Sequence, residues 1–162
     1  MLRLAIVREV LPVEPLMRLV EADVRDRGEG CGAVTTFLGV VRGTHNGRRV
    51  RHLEYEAYEP LALNVFERIA AEVAEEWSGA CVAIWHRIGR IEIGEASVVI
   101  AAAAAHRDEA FRVCRYAIER VKQIAPVWKH EFFEDGAAWV EGAVADPDDE
   151  FARGHARSQA CA

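Results

Sequence analysis

The stretch from Ser97 to Ile124 constrains the fold more than any other part of this 162-residue chain. Ser97–Ala105 (SVVIAAAAA) opens on β-branched residues just after a glycine turn and continues in alanine. Alanine favours helix, yet a short apolar run bounded in this way suits a buried strand packed under a helix. From Asp108 to Ile124 the pattern changes. Phe111, Cys114, Ile118, Val121 and Ala125 recur at helical spacing, with Arg112, Arg115, Glu119 and Arg120 on the wet side. Pro126 ends the helix.

The rest of the chain reads in order around that unit. Leu2–Val7 is a strand, and Glu14–Asp26 is a helix carrying Leu16, Leu19, Val20 and Val24. Ala33–Gly43 and Val50–Tyr58 read as strands joined through Asn46-Gly47, a strong tight-turn signal, and so as a hairpin. Pro60 sits in the first turn of a helix that runs to Trp77. Cys81–Ile88 is a strand, Arg90–Ile93 (RIEI) a short turn between Gly89 and Gly94, and Trp128–Phe133 and Ala137–Glu141 two short strands. The order β-α-β-β-α-β-β-α-β-β predicts an α+β domain over residues 1–142, with mixed or antiparallel sheets and about three helices. Residues 143–162, polar and then basic, are expected to form a loosely ordered tail.

Composition removes several function classes. Twenty basic and 26 acidic residues give a net charge of −6, which disfavours non-specific nucleic-acid binding. No apolar run approaches a membrane span, and the amino terminus lacks a signal-peptide pattern, so a cytoplasmic protein is expected. Cys31, Cys81, Cys114 and Cys161 form no C-x-x-C pair, and neither they nor the histidines have metal-ligand spacing. No metal or other cofactor is expected.

Of the twenty basic residues only Lys122 and Lys129 are lysine. Arginine stays charged at any working pH, whereas a lysine amine can lose its proton and act as base or nucleophile. Lys122 neighbours the stripe residue Val121 and so is expected to be partly buried. Burial and nearby cations would both disfavour its protonated form. Lys129 and Glu131 would share one face of a strand, where Glu131 orients the amine or exchanges a proton with it. His106 and Arg107 stand at a helix N-terminus, where free N–H groups and the helix dipole favour an anion. Val40, Val41 and Arg42 bring a third cation to a strand end. Helix capping and solvated ion pairs account for the same residues without any ligand.

Together these pieces resemble the large, catalytic subunit of molybdopterin synthase. The resemblance runs from Gly32 to Glu141 through Gly39-Val40-Val41-Arg42, Leu53-Glu54-Tyr55 with Tyr58, His86-Arg87-Ile88-Gly89, Gly94-Glu95 and Ala105-His106-Arg107. It continues through Lys122, Pro126-Val127-Trp128-Lys129-His130-Glu131 and Trp139-Val140-Glu141. It implies a hammerhead-like β arrangement and a sulfurtransferase of molybdenum-cofactor biosynthesis. Such an enzyme converts a cyclic pyranopterin monophosphate into molybdopterin. The sulfur comes from the thiocarboxylated C-terminal Gly-Gly of a small ubiquitin-like subunit, and the large subunits pair as a homodimer within a heterotetramer. Carried onto this chain, it implies that Val40, Val41, Arg42, His106 and Arg107 bind substrate. Lys122 is then the main catalytic amine, Lys129 supports it, and His130 and Glu131 line the site.

Val127 stands where family members often carry Phe, and Gly142-Ala143 replaces an expected arginine whose part Arg153 or Arg157 would have to take. A non-catalytic module that docks a ubiquitin-like partner, and a different enzyme acting on phosphorylated small molecules, are the rival readings.

Overall fold

Residues Ala96–Ala104 form a strand whose two faces are both buried, and the first layer of the molecule is assembled around it. The computed structural model describes residues 2–28, 30–140, 142 and 146–161. In chain order the elements are β1 (Leu4–Val7), α1 (Val13–Asp26), β2 (Ala33–Val40), β3 (Thr44–His45), β4 (Arg48–Ala57), α2 (Glu59–Glu76) and β5 (Cys81–Arg87). They continue as β6 (Gly89–Glu92), β7 (Ala96–Ala104), α3 (Arg107–Ile124), β8 (Val127–Phe133), β9 (Gly136–Val140) and α4 (Glu150–Ala160).

The first sheet has the order β1-β5-β7-β2, with β1 parallel to β5 and the other pairs antiparallel. Val98, Ile100, Ala102 and Ala104 of β7 pack with α2 and α3, while Val99, Ala101 and Ala103 pack with α1 on the opposite face. This double burial is why the strand shows no polar alternation. Its alanines let both helix layers approach, which resolves the strand-or-helix ambiguity in favour of strand. The second sheet has the order β3-β4-β8-β9, with β6 also paired to β4.

Four expectations are corrected. Ala33–Gly43 and Val50–Tyr58 are not hairpin partners: β2 pairs with β7 in the first sheet, and only Thr44–His45 folds back on Arg48–Arg49. Asn46 and Gly47, at φ 49° and 77°, make the expected tight turn. The chain has already left the first sheet, however, because Val41 is held by Glu95 and Gly94 through backbone hydrogen bonds of 2.9 and 2.9 Å. Residues 89–92 are a strand, β6, rather than a turn.

Arg120 is not on the wet face. It is fully buried, with Nε and Nη2 each donating to Glu72 at 2.8 Å, and Tyr116 donates to the same carboxylate at 2.8 Å. Finally, there are four helices among the described residues, and the fourth lies in the expected tail. Asp149 caps α4 by accepting from the N–H groups of Phe151 and Ala152. Ala156 and Ala160 are buried in the core that α3 helps to build, and Arg153 pairs with Glu75 at 2.7 Å. Small buried alanines and arginine pairs supply the packing that a hydrophobicity count over the tail misses. Residues 143–145 lie outside the described residues.

Burial alone pushes the Glu72 carboxyl up, but hydrogen bonds from Arg120 and Tyr116 outweigh it and hold the group below the ordinary 4.5. Its contribution is therefore complete above pH 4.5 and is lost as the pH falls through the lower folded value. Glu72→Ala should cost about 3–5 kcal/mol in urea denaturation at neutral pH, because it leaves Arg120 buried and unpaired. The double variant Glu72→Leu with Arg120→Leu should cost less than Glu72→Ala alone.

Candidate functional site

A cavity of about 540 Å³ opens where the two sheets meet. The end of β2 and the residues after it bring Gly39, Val40, Val41 and Arg42 to its wall. The last turn of α3 brings Lys122, and β8 brings Lys129. Tyr55 of β4 is the register partner of Lys129, so the two face the cavity side by side. Gly39 fits this wall closely: a Cβ there would lie 2.6 Å from Val98 Cγ1.

The strongest electrostatic feature is a buried carboxylate under the cavity. Glu131 is 2 % exposed and accepts on both oxygens: Lys129 Nζ lies 2.6 Å from Oε1, and His45 Nδ1 lies 2.5 Å from Oε2. Burial pushes this carboxyl up. The hydrogen bonds from Lys129 and His45 overcome that effect and hold it below its ordinary value, so it is ionised at neutral pH. The arrangement fixes the Lys129 amine at the cavity wall and requires that His45 Nδ1 carry a proton.

His86 also lines the cavity and is buried. Its Nδ1–H donates to the Arg87 carbonyl at 2.9 Å, and its ring meets Tyr55 edge-on at 5.1 Å. Desolvation pushes its pKa down to about 4, so it stays neutral among cations.

The structure thus gathers Val40, Val41, Arg42, Lys122 and Lys129, with Glu131 beneath them. Lys122 is exposed, so the burial expected of it is absent. His130 does not line the cavity. Strand alternation turns it to the other face of the sheet, where it stacks on Trp139 at 4.4 Å and 11° and lies 4.3 Å from Phe132. His106 and Arg107 line a different hollow, with Gly32, Asp108 and Phe111. The β2–β7 ladder explains the separation. Ala33 pairs with Ala104 at one end and Val40 with Ala96 at the other, a span of roughly 23 Å at strand rise. Within one chain, Arg42 and the His106-Arg107 pair are therefore at opposite ends.

Sequence reasoning assigned no role to His45, Tyr55 or His86. Tyr55 and His86 stand within the motifs that carry the resemblance, but only strand register brings them, with His45 beside the Asn-Gly turn, to one cavity. Among the described residues no group of three or more His, Cys, Asp or Glu side chains could hold a metal ion.

The fold and the cavity define an α+β protein with arginine and lysine gathered at the wall of one cavity between its two sheets. The MoaE protein family profile matches residues 6–124, a span that includes Arg42, His106, Arg107 and Lys122. A Bacillus subtilis molybdopterin synthase catalytic subunit is 55% identical over 109 residues, covering 67% of this chain and 69% of that protein. The crystal structure of molybdopterin synthase from Staphylococcus aureus is 38% identical with a TM-score of 0.80, covering 87% of this chain and 98% of that one. The MoaE protein of molybdopterin biosynthesis from Burkholderia ambifaria is 33% identical with a TM-score of 0.71, covering 94% and 97%. This chain belongs to the MoaE family.

A carbon-detected NMR titration should find the Glu131 carboxyl below the ordinary 4.5 in the unaltered protein. In the double variant Lys129→Met with His45→Phe, burial acts unopposed and the carboxyl should titrate above 4.5. No upward movement would contradict the electrostatic assignment.

Proposed function

We propose that this chain is the catalytic subunit of a molybdopterin synthase, and that it transfers sulfur to a cyclic pyranopterin monophosphate. The carrying observation is the convergence of Arg42, Lys122 and Lys129 on one cavity in a member of this family. A cyclic phosphate is an anion, and fixed cations bind it. A thiocarboxylate is a second anion, and it arrives on the slender Gly-Gly end of a small ubiquitin-like subunit. Lys122, exposed at the cavity, meets that end. Lys129, anchored by Glu131, holds substrate. In each of two transfers the thiocarboxylate sulfur bonds to a side-chain carbon of the pterin in place of an oxygen, which leaves with the electron pair of the broken carbon–oxygen bond, and the two together make the dithiolene.

The active assembly is a homodimer of this chain with a small subunit at each end. β2 is an edge strand, and Leu38 and Val40 on it are 41 % and 48 % exposed. An apolar edge of this kind invites a second strand. Antiparallel pairing of two β2 strands about a two-fold axis lays the Val40 end of one beside the Ala33 end of the other. His106 and Arg107 of the second copy then approach Arg42 and complete the anion site. Among the described residues no helix is long and apolar enough to cross a membrane. The proposed reaction runs in the cytoplasm with its thiocarboxylated partner.

Mixing the protein with a thiocarboxylated small subunit and the cyclic pterin phosphate tests the reading, with dithiolene product measured after conversion to a fluorescent derivative. Product is expected; none with a verified active partner would remove it. Lys122→Ala should lower turnover about 10²–10⁴-fold while partner binding by calorimetry persists. Loss of binding and of folding instead would make Lys122 structural. Equal mixing and re-association of Lys122→Ala with Arg107→Ala should restore about a quarter of wild-type turnover, because one site in each mixed dimer is intact. No restoration would place Arg107 outside the site of a second copy.

A further inference from the structure

His45 belongs to no motif that carries the family resemblance, yet it is the cavity residue with the shortest polar contact. Its Nδ1 lies 2.5 Å from Glu131 Oε2, and Glu131 is buried and ionised. The carboxylate therefore orients the ring and keeps the proton on Nδ1. Nε2 has no protein partner among the described residues, on a ring that lines the cavity beside Lys129. A buried carboxylate that fixes an imidazole, whose other nitrogen faces a substrate space, is the arrangement that makes histidine a general base for water or a hydroxyl. Lys129 on the second carboxylate oxygen locks the carboxylate in turn.

We propose that His45, oriented by Glu131, is the general base that activates water to release the small subunit after each sulfur transfer. This rests on the sulfur-transfer reading above. When the thiocarboxylate sulfur bonds to a pterin carbon, the acyl group of the small subunit is left on that sulfur as a thioester. Water attacks the thioester carbonyl while Nε2 takes one of its protons. The carbon–sulfur bond to the acyl group breaks, and its electron pair goes to the sulfur, which remains on the pterin. The imidazolium returns its proton to that thiolate. The small subunit departs as a carboxylic acid that ionises to solvent. No oxidant or reductant is required.

The test is a single turnover with a thiocarboxylated small subunit and the cyclic pterin phosphate, quenched in acid and read by intact mass spectrometry. In His45→Ala a conjugate of small subunit and pterin should accumulate and decay about 10²-fold or more slowly than in wild type, and added imidazole should speed its decay. Decay of the conjugate at the wild-type rate would overturn the proposal. So would unconsumed thiocarboxylate without conjugate, which would put His45 before the transfer or in the fold, and so would a conjugate that imidazole does not clear. A wild-type protein that leaves both reactants unchanged would instead remove the sulfur-transfer reading itself.

Discussion

Antiparallel pairing of β2 with β7 fixes which end of the first sheet Arg42, Lys122, His106 and Arg107 reach. The ladder runs from Ala33–Ala104 to Val40–Ala96, so the loop after β2 and the start of α3 leave the sheet at opposite ends. Gly32 closes the far end: its N–H donates to the Ala104 carbonyl at 3.1 Å, and a Cβ on it would sit 2.1 Å from the Ala105 carbonyl oxygen. No side chain fits that approach, so the entry to β2 and the start of α3 are held together. The α3 helix then spans the sheet and returns its last turn, with Lys122, to the Arg42 end. One helix thus carries an anion-favouring N-terminus to one end of the sheet and an amine to the other.

At the Arg42 end the electrostatics rest on one buried carboxylate. Glu131 sits where burial alone would neutralise it, and Lys129 and His45 reverse that effect. The same contacts fix a lysine amine and an imidazole at the wall of a cavity that Arg42 and Lys122 also line. His86 contributes the opposite quality. Held neutral by burial, it adds hydrogen-bonding capacity without repelling the other cations. Both groups are buried; Glu131 keeps its charge because Lys129 and His45 donate to it, whereas the backbone bond of His86 does not offset its desolvation.

Much of the architecture was legible in the sequence where local and long-range preferences agree. The β7 strand, the α3 stripe from Cys114 to Ala125, and the two lysines flanking Pro126 are examples, as is the sharing of one strand face by Lys129 and Glu131; Phe111, expected in that stripe, is 62 % exposed. The failures share a cause. The Asn-Gly turn correctly folds Thr44–His45 onto Arg48–Arg49, but nothing local reports that β2 is captured by β7 before the turn begins. Arg120 carries a wet-face residue type at a position where Glu72, 48 residues earlier, supplies a buried acceptor. The α4 helix packs through alanines in a stretch whose charge hides them. His45 was legible only as a residue beside a turn, because its partner Glu131 lies 86 residues away. His130 was grouped with its neighbours by motif, whereas strand alternation turns it away.

We propose that one anion site is built from Arg42, Lys122 and Lys129 of one copy together with His106 and Arg107 of another. A crystal structure of the protein with cyclic pyranopterin monophosphate bound tests it most directly. The pterin is expected in the cavity beside Lys129, with the phosphate within hydrogen-bond distance of Arg42 and of Arg107 from a second copy. A phosphate bound by His106 and Arg107 alone, with the cavity at Lys122 empty of ligand, would contradict it.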